Sequence, residues 1–217
     1  MWYTIMVKLY QRGTCMKIIP FFARGWESNS YLIVSDGHAA LIDAGVDKKT
    51  LSDALESENA KLEYILMTHG HFDHTVTADK LRELTGARLF IHRDDAEMLT
   101  DATKSALALF FGRNDTVAPC DKELEDREVV ALGKLQIKVL HTPGHSKGSV
   151  CYLADSALFT GDTLFDGNFG RYDLYGGDGK TLYQSLKNLR GLDGSLDIFP
   201  GHGGAAKLGN ALDSINI

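Results

Sequence analysis

The stretch Thr68–His74, THGHFDH, places three histidines and an aspartate within seven residues. Neutral imidazoles and carboxylates suit borderline or hard divalent cations, and no soft thiolate is needed beside them. Residues of the same types recur farther along: His145 in HTPGHSKGS, Asp162 in FTGD and His202 in PGHG. A lone histidine of this kind is more often a loop residue or a satisfied buried imidazole. That reading weakens when five of the eight histidines, with Asp73 and Asp162, occupy the same kind of place.

The place they share is the end of a strand. KIIPFF, SYLIVSD and HAALIDAG read as strands, the last two joined by the hairpin signal SDG. DKKTLSDALESE carries Leu51, Ala54 and Leu55 at helical spacing. LEYILMT is a buried strand that delivers the chain into HGHFDH. TVTADKLRELTG is a helix closed by Gly86, ARLFIH a strand, and DDAEMLTD and TKSALALFFG helical. The second half has strands at REVVAL, LQIKVLHT, SVCYLAD and ALFTGD, a helix at GKTLYQSLKNLRGL and a strand at LDIFPG. Strands come in blocks of two or three, so two mixed sheets covered by outer helices are expected, one from each half of the chain, divided at about residue 120. In α/β architectures sites gather at the carboxyl ends of strands, and these separated segments then converge on one rim. Three histidines lie elsewhere. His38 sits in the SDGHAA turn and His92 before RDD at a helix start. His141 reads as strand packing, with an orienting role beside the site as the alternative.

The bulk numbers agree with a globular enzyme-sized chain. Its 217 residues suit one domain or two small ones, with 44% apolar and 24% charged residues. Acidic residues number 29 and basic ones 23, a net charge of -6, which argues against a nucleic-acid surface. Cys15, Cys120 and Cys151 are odd in number and widely spaced, so a reducing, cytoplasmic setting is expected, with Cys151 as a small core residue. The start lacks a signal-peptide pattern, and no run approaches the ~20 apolar residues of a membrane span. Residues 1–15 read as a dispensable extension before a single domain over 16–217, with Met16 as a possible start. LYGGDGKT invites a phosphate-loop reading, but Leu174 stands where that pattern needs a glycine.

THGHFDH fits T-H-x-H-x-D-H, the signature of the metallo-β-lactamase fold superfamily. LIDAG, HTPGHSKGSVCY, FTGDTLF and PGHG are similar to its other motifs and come in the right order, from Lys17 to about Gly203. The resemblance implies an α/β fold, an αββα sandwich of two mixed β-sheets flanked by helices. Within the superfamily the chain looks closest to glyoxalase II-like hydrolases, through GDTLFDGNFGRYDLYGGD. That match implies a binuclear site. One metal would take His69, His71 and His145, the other Asp73, His74 and His202, with Asp162 bridging. Zinc is the expected metal, with iron or manganese as alternatives. Asp43, Thr68 and Thr142 are candidates to orient the ligands. Asp73 would also orient or relay a proton, and Arg171 and Tyr175 could line the substrate pocket.

Two metals ~3.5–4 Å apart can hold one hydroxide between them and lower the pKa of water from ~15.7 to about 7. The implied activity is hydrolysis of a small-molecule thioester, hydroxyacylglutathione hydrolase-like, with no nucleic-acid or membrane partner. The alternatives are a mononuclear-iron oxidoreductase resembling persulfide dioxygenases, a lactone hydrolase on the same site, and a nuclease of the related processing families, disfavoured by the acidic balance. True β-lactamases generally carry Cys or Ser where this chain has Asp162, which counts against β-lactam hydrolysis. Authentic glyoxalase II has a C-terminal helical region that binds glutathione. Only fifteen residues follow His202 here, room for one short helix, so hydrolase chemistry is better supported than glutathione specificity.

Overall fold

In the computed structural model the chain is described over residues 7–11, 14–23 and 25–217. The first sheet has seven strands: β1 (Val7–Gln11), β2 (Thr14–Phe21), β3 (Ser30–Ser35), β4 (His38–Ile42), β5 (Lys61–Leu66), β6 (Arg88–His92) and β7 (Lys122–Leu124), side by side in that order. The first four pair antiparallel, and β4 to β7 pair parallel. The second sheet holds β8 (Val129–Leu132), β9 (Leu135–His141), β10 (Val150–Ala154), β11 (Ala157–Gly161), β12 (Asp197–Pro200) and β13 (Ala206–Lys207), in the order β13-β12-β11-β10-β9-β8. Only its β11–β12 pair is parallel.

Alternation along the strands explains the layering. A strand points successive side chains to opposite faces. Tyr31 and Ile33 join the layer between the sheets, whereas Leu32 and Val34 join a second layer outside the first sheet. Likewise Val150 and Tyr152 face inward and Cys151 outward. In the central strands both faces are buried, so they read as continuous apolar runs, whereas β8 and β9 alternate with one exposed face. Outside the first sheet lie α1 (Lys48–Ser57) and α3 (Ala78–Thr85), which contribute Leu51, Ala78 and Leu81. Outside the second lie α6 (Gly179–Leu189) and α7 (Leu208–Ser214), which contribute Leu182, Leu186, Leu208 and Leu212. The result is the αββα sandwich expected from the sequence.

Local chemistry sets the helix ends. Asp47 caps α1 by accepting from the amides of Lys49 and Thr50, each at 3.0 Å. Gly86 ends α3 in the left-handed region at φ 72°. Departures from expectation are small. DDAEMLTD forms a 3-10 turn (Arg93–Asp95) and the single-turn α4 (Ala96–Leu99). TKSALALFFG is helical only in α5 (Leu107–Phe111). The single turn α2 (Phe72–Thr75) and the short strands β7 and β13 lack a readable period. Cys151 is fully buried, its thiol pushed up to about 11 by desolvation, and packs as a core residue.

The sheets are pinned to each other at one edge. The amide of Val150 donates to the Thr68 carbonyl at 2.8 Å, and the Tyr152 hydroxyl donates to the Met67 carbonyl at 2.7 Å. Across the same edge the Tyr31 hydroxyl donates to the Pro200 carbonyl at 2.7 Å. These ties are where the loops after β4, β5, β9, β11 and β12 meet.

β1 is an edge strand paired only with β2, which keeps its full ladder to β3. A chain beginning at Met16 is therefore expected to keep a cooperative melt and its metal content. Loss of either, by calorimetry and elemental analysis, would show that the edge strand is required.

Candidate metal centre

Three histidines of the cluster, His69, His74 and His145, are each fixed by a hydrogen bond at Nδ1, on the far side of the ring from the cluster. β5 ends at Leu66, and His69 follows two residues after Met67. The Nδ1 of His69 donates to Thr68 Oγ1 at 3.1 Å, and Thr68 Oγ1 donates onward to Asp43 Oδ2 at 2.8 Å. Asp43 also accepts from the Thr68 amide at 2.8 Å and from His74 Nδ1 at 2.8 Å. It does so from a left-handed backbone, φ 57°, directly after β4. His145 Nδ1 donates to the Arg171 carbonyl at 2.6 Å. With these protons on Nδ1, the Nε2 atoms of His69 and His145 carry lone pairs.

Those lone pairs converge. His145 Nε2 lies 3.1 Å from His69 Nε2 and 2.9 Å from His71 Nδ1. Two acceptors at that separation repel unless something positive lies between them. Burial pushes the pKa of His71 down to about 3, and that of His69 well below its ordinary value, so both imidazoles are neutral. A neutral imidazole is the form that ligates a cation.

The second group lies beside the first. His202 Nε2 is 3.1 Å from Asp73 Oδ2, and His74 Nε2 is 3.7 Å from the same oxygen. Asp162 stands between the groups. Its Oδ1 is 3.2 Å from His74 Nε2, and its Oδ2 is 3.6 Å from His202 Nε2 and 3.7 Å from His145 Nε2. His74 Nε2 and Asp162 Oδ1 are buried and satisfied by no hydrogen bond. Unsatisfied buried polar atoms are costly. Here both are donor atoms that a cation would satisfy, so the residues fit divalent metal. Burial opposes charge on His74, but Asp43, Asp162 and Asp73 outweigh it and hold its pKa well above normal. Burial also opposes charge on Asp162 and Asp73, and the neighbouring histidines outweigh it and hold both low.

The seven residues expected from the sequence, His69, His71, Asp73, His74, His145, Asp162 and His202, are thus brought together. His69, His71 and His145 form one group able to hold a metal, and Asp73, His74 and His202 another; His69, His74 and Asp162 also fall within reach of one ion. Asp43 and Thr68 orient ligands directly. Thr142 does not: its hydroxyl meets Thr163 at 2.9 Å. Arg171 lines the cavity of about 360 Å³ over the cluster, and Tyr175 is absent from that lining, its hydroxyl donating to Glu97 at 2.7 Å. His38 pairs with Glu63, apart from the cluster. His92 and His141 stack on each other, 4.1 Å between centroids, and belong to no ligand group of the centre.

Two supports escaped the sequence reading. Asp95, fully buried, accepts from the Gly70 amide at 3.0 Å, Ser146 Oγ at 2.6 Å and the Gly148 amide at 2.6 Å. It joins the loop carrying His69 and His71 to the loop carrying His145. Its signal was present, since it follows β6 at the same rim. Asn29 donates to the carbonyls of Pro200 at 3.1 Å and Gly203 at 2.9 Å, bracing the His202 loop. Gly201 is required beside it, because a Cβ there would collide with Asp162 and His74.

Comparison with known proteins gives concordant results. The model of the Metallo-beta-lactamase superfamily matches residues 23–202. "Hydroxyacylglutathione hydrolase GloC" of Haemophilus influenzae is 31% identical over 199 residues, covering 89% of this chain and 93% of that protein. The structure "BLEG-1 B3 metallo-beta-lactamase" superposes with a TM-score of 0.84 at 32% identity, covering 90% of this chain and 96% of that one. "TTHA1623 in a di-iron-bound form" does so at 0.78 and 32%, covering 88% and 95%.

Asp95→Asn would turn an amide NH₂ toward one of three donors. It is expected to lower metal affinity about 10- to 100-fold, the usual effect of losing a residue that orients ligands. Competition with a chromophoric chelator measures this, and unchanged affinity would mean the loops are held without Asp95. A cation that binds only the folded chain adds stability by mass action. Chelator treatment is therefore expected to lower the melting temperature, and an unshifted melt would contradict ligation by the buried cluster.

Proposed function

The chain belongs to the metallo-β-lactamase superfamily, and from that premise we propose that it is a binuclear metal-dependent hydrolase of thioesters. The observation that carries this reading is Asp162. One of its oxygens faces His74 and the other faces both His145 and His202, across two groups each able to hold a cation. A carboxylate so placed suits two ions better than one. His69, His71 and His145 would hold the first, Asp73, His74 and His202 the second, and Asp162 both. Zinc is the metal proposed, with iron or manganese as the alternatives. When bound, the ions supply an acidified water and positive charge for the carbonyl oxygen.

The chain's own residues do the rest. Asp43, Thr68 and the Arg171 carbonyl keep three imidazoles in the tautomer that leaves Nε2 free. Asp73, held ionised by the histidines around it, can accept the proton released when water attacks the thioester carbonyl. The departing thiol has pKa ~8.5, so it leaves as thiolate without a strong acid beside it. This suits a cavity whose lining offers no lysine or tyrosine among the described residues. The similarity to GloC supports the substrate class.

The likeness to BLEG-1 favours a second reading, β-lactam hydrolysis on the same site. A chromogenic cephalosporin tested beside a thioester panel separates the two. Protein purified without added metal is expected to carry two ions per chain and to turn over thioesters. One iron per chain with oxygen-dependent turnover of a persulfide would support the oxidoreductase alternative instead.

Asp162→Ala removes the carboxylate shared by both groups. It is expected to lower thioester hydrolysis at least ~10²-fold, the scale of losing one key electrostatic element. His38→Ala, on a partly exposed pair with Glu63, should leave the rate within about twofold. Near-normal turnover with both metals retained in Asp162→Ala would sink the bridging assignment.

A further inference from the structure

The cavity over the cluster has an aromatic wall that the hydrolytic chemistry does not use. Trp26, Phe72 and Phe111 touch one another, with centroids 5.5 Å apart for Trp26–Phe72, 5.4 Å for Trp26–Phe111 and 5.5 Å for Phe72–Phe111. Phe110 adds a fourth ring, 5.9 Å from Phe72. All four line the same cavity as Asp73 and Asp162. Exposed hydrophobics scattered singly are ordinary, but a contiguous patch on the rim of a site marks a binding surface. Trp26 is 41% exposed, Phe110 50% and Phe111 46%, so the fold leaves this surface uncovered.

The wall is held in place. Phe72 lies between His71 and Asp73, and its amide donates to the Ser105 carbonyl at 3.0 Å. One residue later Ala106 takes φ 68°, a left-handed conformation uncommon for a residue with a Cβ, and starts α5; Gly112 closes it at φ 62°. Residues held in such backbone persist where the surrounding structure fixes them. The two aromatic residues of α5 are thus set at a fixed place beside the ligand loop.

Charge limits what can lie there. Among the described residues, Arg171 is the one lysine or arginine of the lining. Its guanidinium makes two hydrogen bonds to Asp173, at 2.7 and 2.9 Å, and lies 5.7 Å from the Phe110 ring. Among the described residues, no unpaired lysine or arginine of the lining remains for a phosphate or a second carboxylate.

We propose that the wall binds an uncharged, apolar arm of the substrate, so that the site selects thioesters carrying an alkyl or aryl group over those with short polar groups. This rests on the thioester reading and adds to it which thioesters are chosen. The arm can belong to the acyl or to the thiol half, and kinetics distinguish them. One series varies the acyl chain on glutathione, and another varies the thiol on an acetyl group. A third measurement avoids turnover: S-alkyl thioethers of N-acetylcysteamine, from methyl to octyl, titrated calorimetrically into the full-length, metal-loaded chain.

Thioether affinity is expected to rise about fourfold per added methylene over the first few carbons, as burial of apolar surface dictates. The KM should fall in step in one of the two kinetic series. Trp26→Ala and the double variant Phe110→Ala/Phe111→Ala should flatten these slopes. Tyr183→Ala, an exposed ring on α6 outside the cavity, should keep them. Absence of thioether binding at every length, a flat series, or unchanged slopes in the wall variants would overturn the proposal. So would a change of oligomeric state in those variants with the slopes intact, which would assign the wall to a contact between protein chains. If no thioester is hydrolysed, the functional reading fails while the thioether series still decides the wall.

Discussion

Lone pairs and carboxylates of like polarity, crowded into a water-poor edge, are the constraint on which this structure depends. The Nε2 atoms of His69 and His145 face each other at 3.1 Å with their protons committed elsewhere. Asp73 and Asp162 stand beside them. No isolated chain would gather such groups, because each unsatisfied polar atom loses its water for nothing in return. They stay because His69, His74 and His145 are braced from behind by Thr68, Asp43 and the Arg171 carbonyl, and the surrounding loops by Asp95 and Asn29. The raised pKa of His74 says the same in another way: this place favours positive charge.

Bracing from behind explains why the site lies where the two sheets meet. Asp43 and Asp95 follow strands of the first sheet, yet Asp95 holds the Ser146–Gly148 segment of the second. Asn29 and Tyr31 precede or begin β3, yet they hold the carbonyls around His202. Each half of the chain therefore completes the ligand set of the other. Neither sheet alone could keep His71 near His145 or Asp73 near His202, so the geometry of the cluster depends on sheet-to-sheet packing.

Much of this was legible in the sequence, and the reasons are physical. The central strands were readable because burial on both faces makes them continuous apolar runs, and the first helix because Leu51, Ala54 and Leu55 recur at helical spacing. The clustered histidines and aspartates were readable because residue type and strand-end position coincide. Asp95 escaped because a carboxylate that only accepts hydrogen bonds has no spacing to betray it, and RDD looked like a helix start. Single-turn α2 and two-residue β13 escaped because they are shorter than one period of any pattern. Tyr175 was assigned by proximity to Asp162 along the chain, and in space it is held away by Glu97. Thr142 likewise lies near His145 in sequence but spends its hydroxyl on Thr163.

Chemistry and selectivity occupy different kinds of structure in this molecule. The cluster residues lie in loops and one helical turn that follow strands, and buried hydrogen bonds lock His69, His74 and His145, so their geometry tolerates little change; a Cβ at Gly201 would already displace Asp162 and His74. The aromatic wall is built from Trp26, in the segment before β3, and from the five-residue α5, neither of which carries a ligand. Phe72 joins the two, since it contributes a ring to the wall while its neighbours His71 and Asp73 face the cluster. Substitution in the wall can therefore alter which arm is held without moving a nitrogen of the centre. Substitution among the braces cannot, because Asp43 serves His74 and, through Thr68, His69 at once. One scaffold can thus present the same hydrolytic centre to different substrates by changing α5 and the loop before β3, while the strand ends stay as they are.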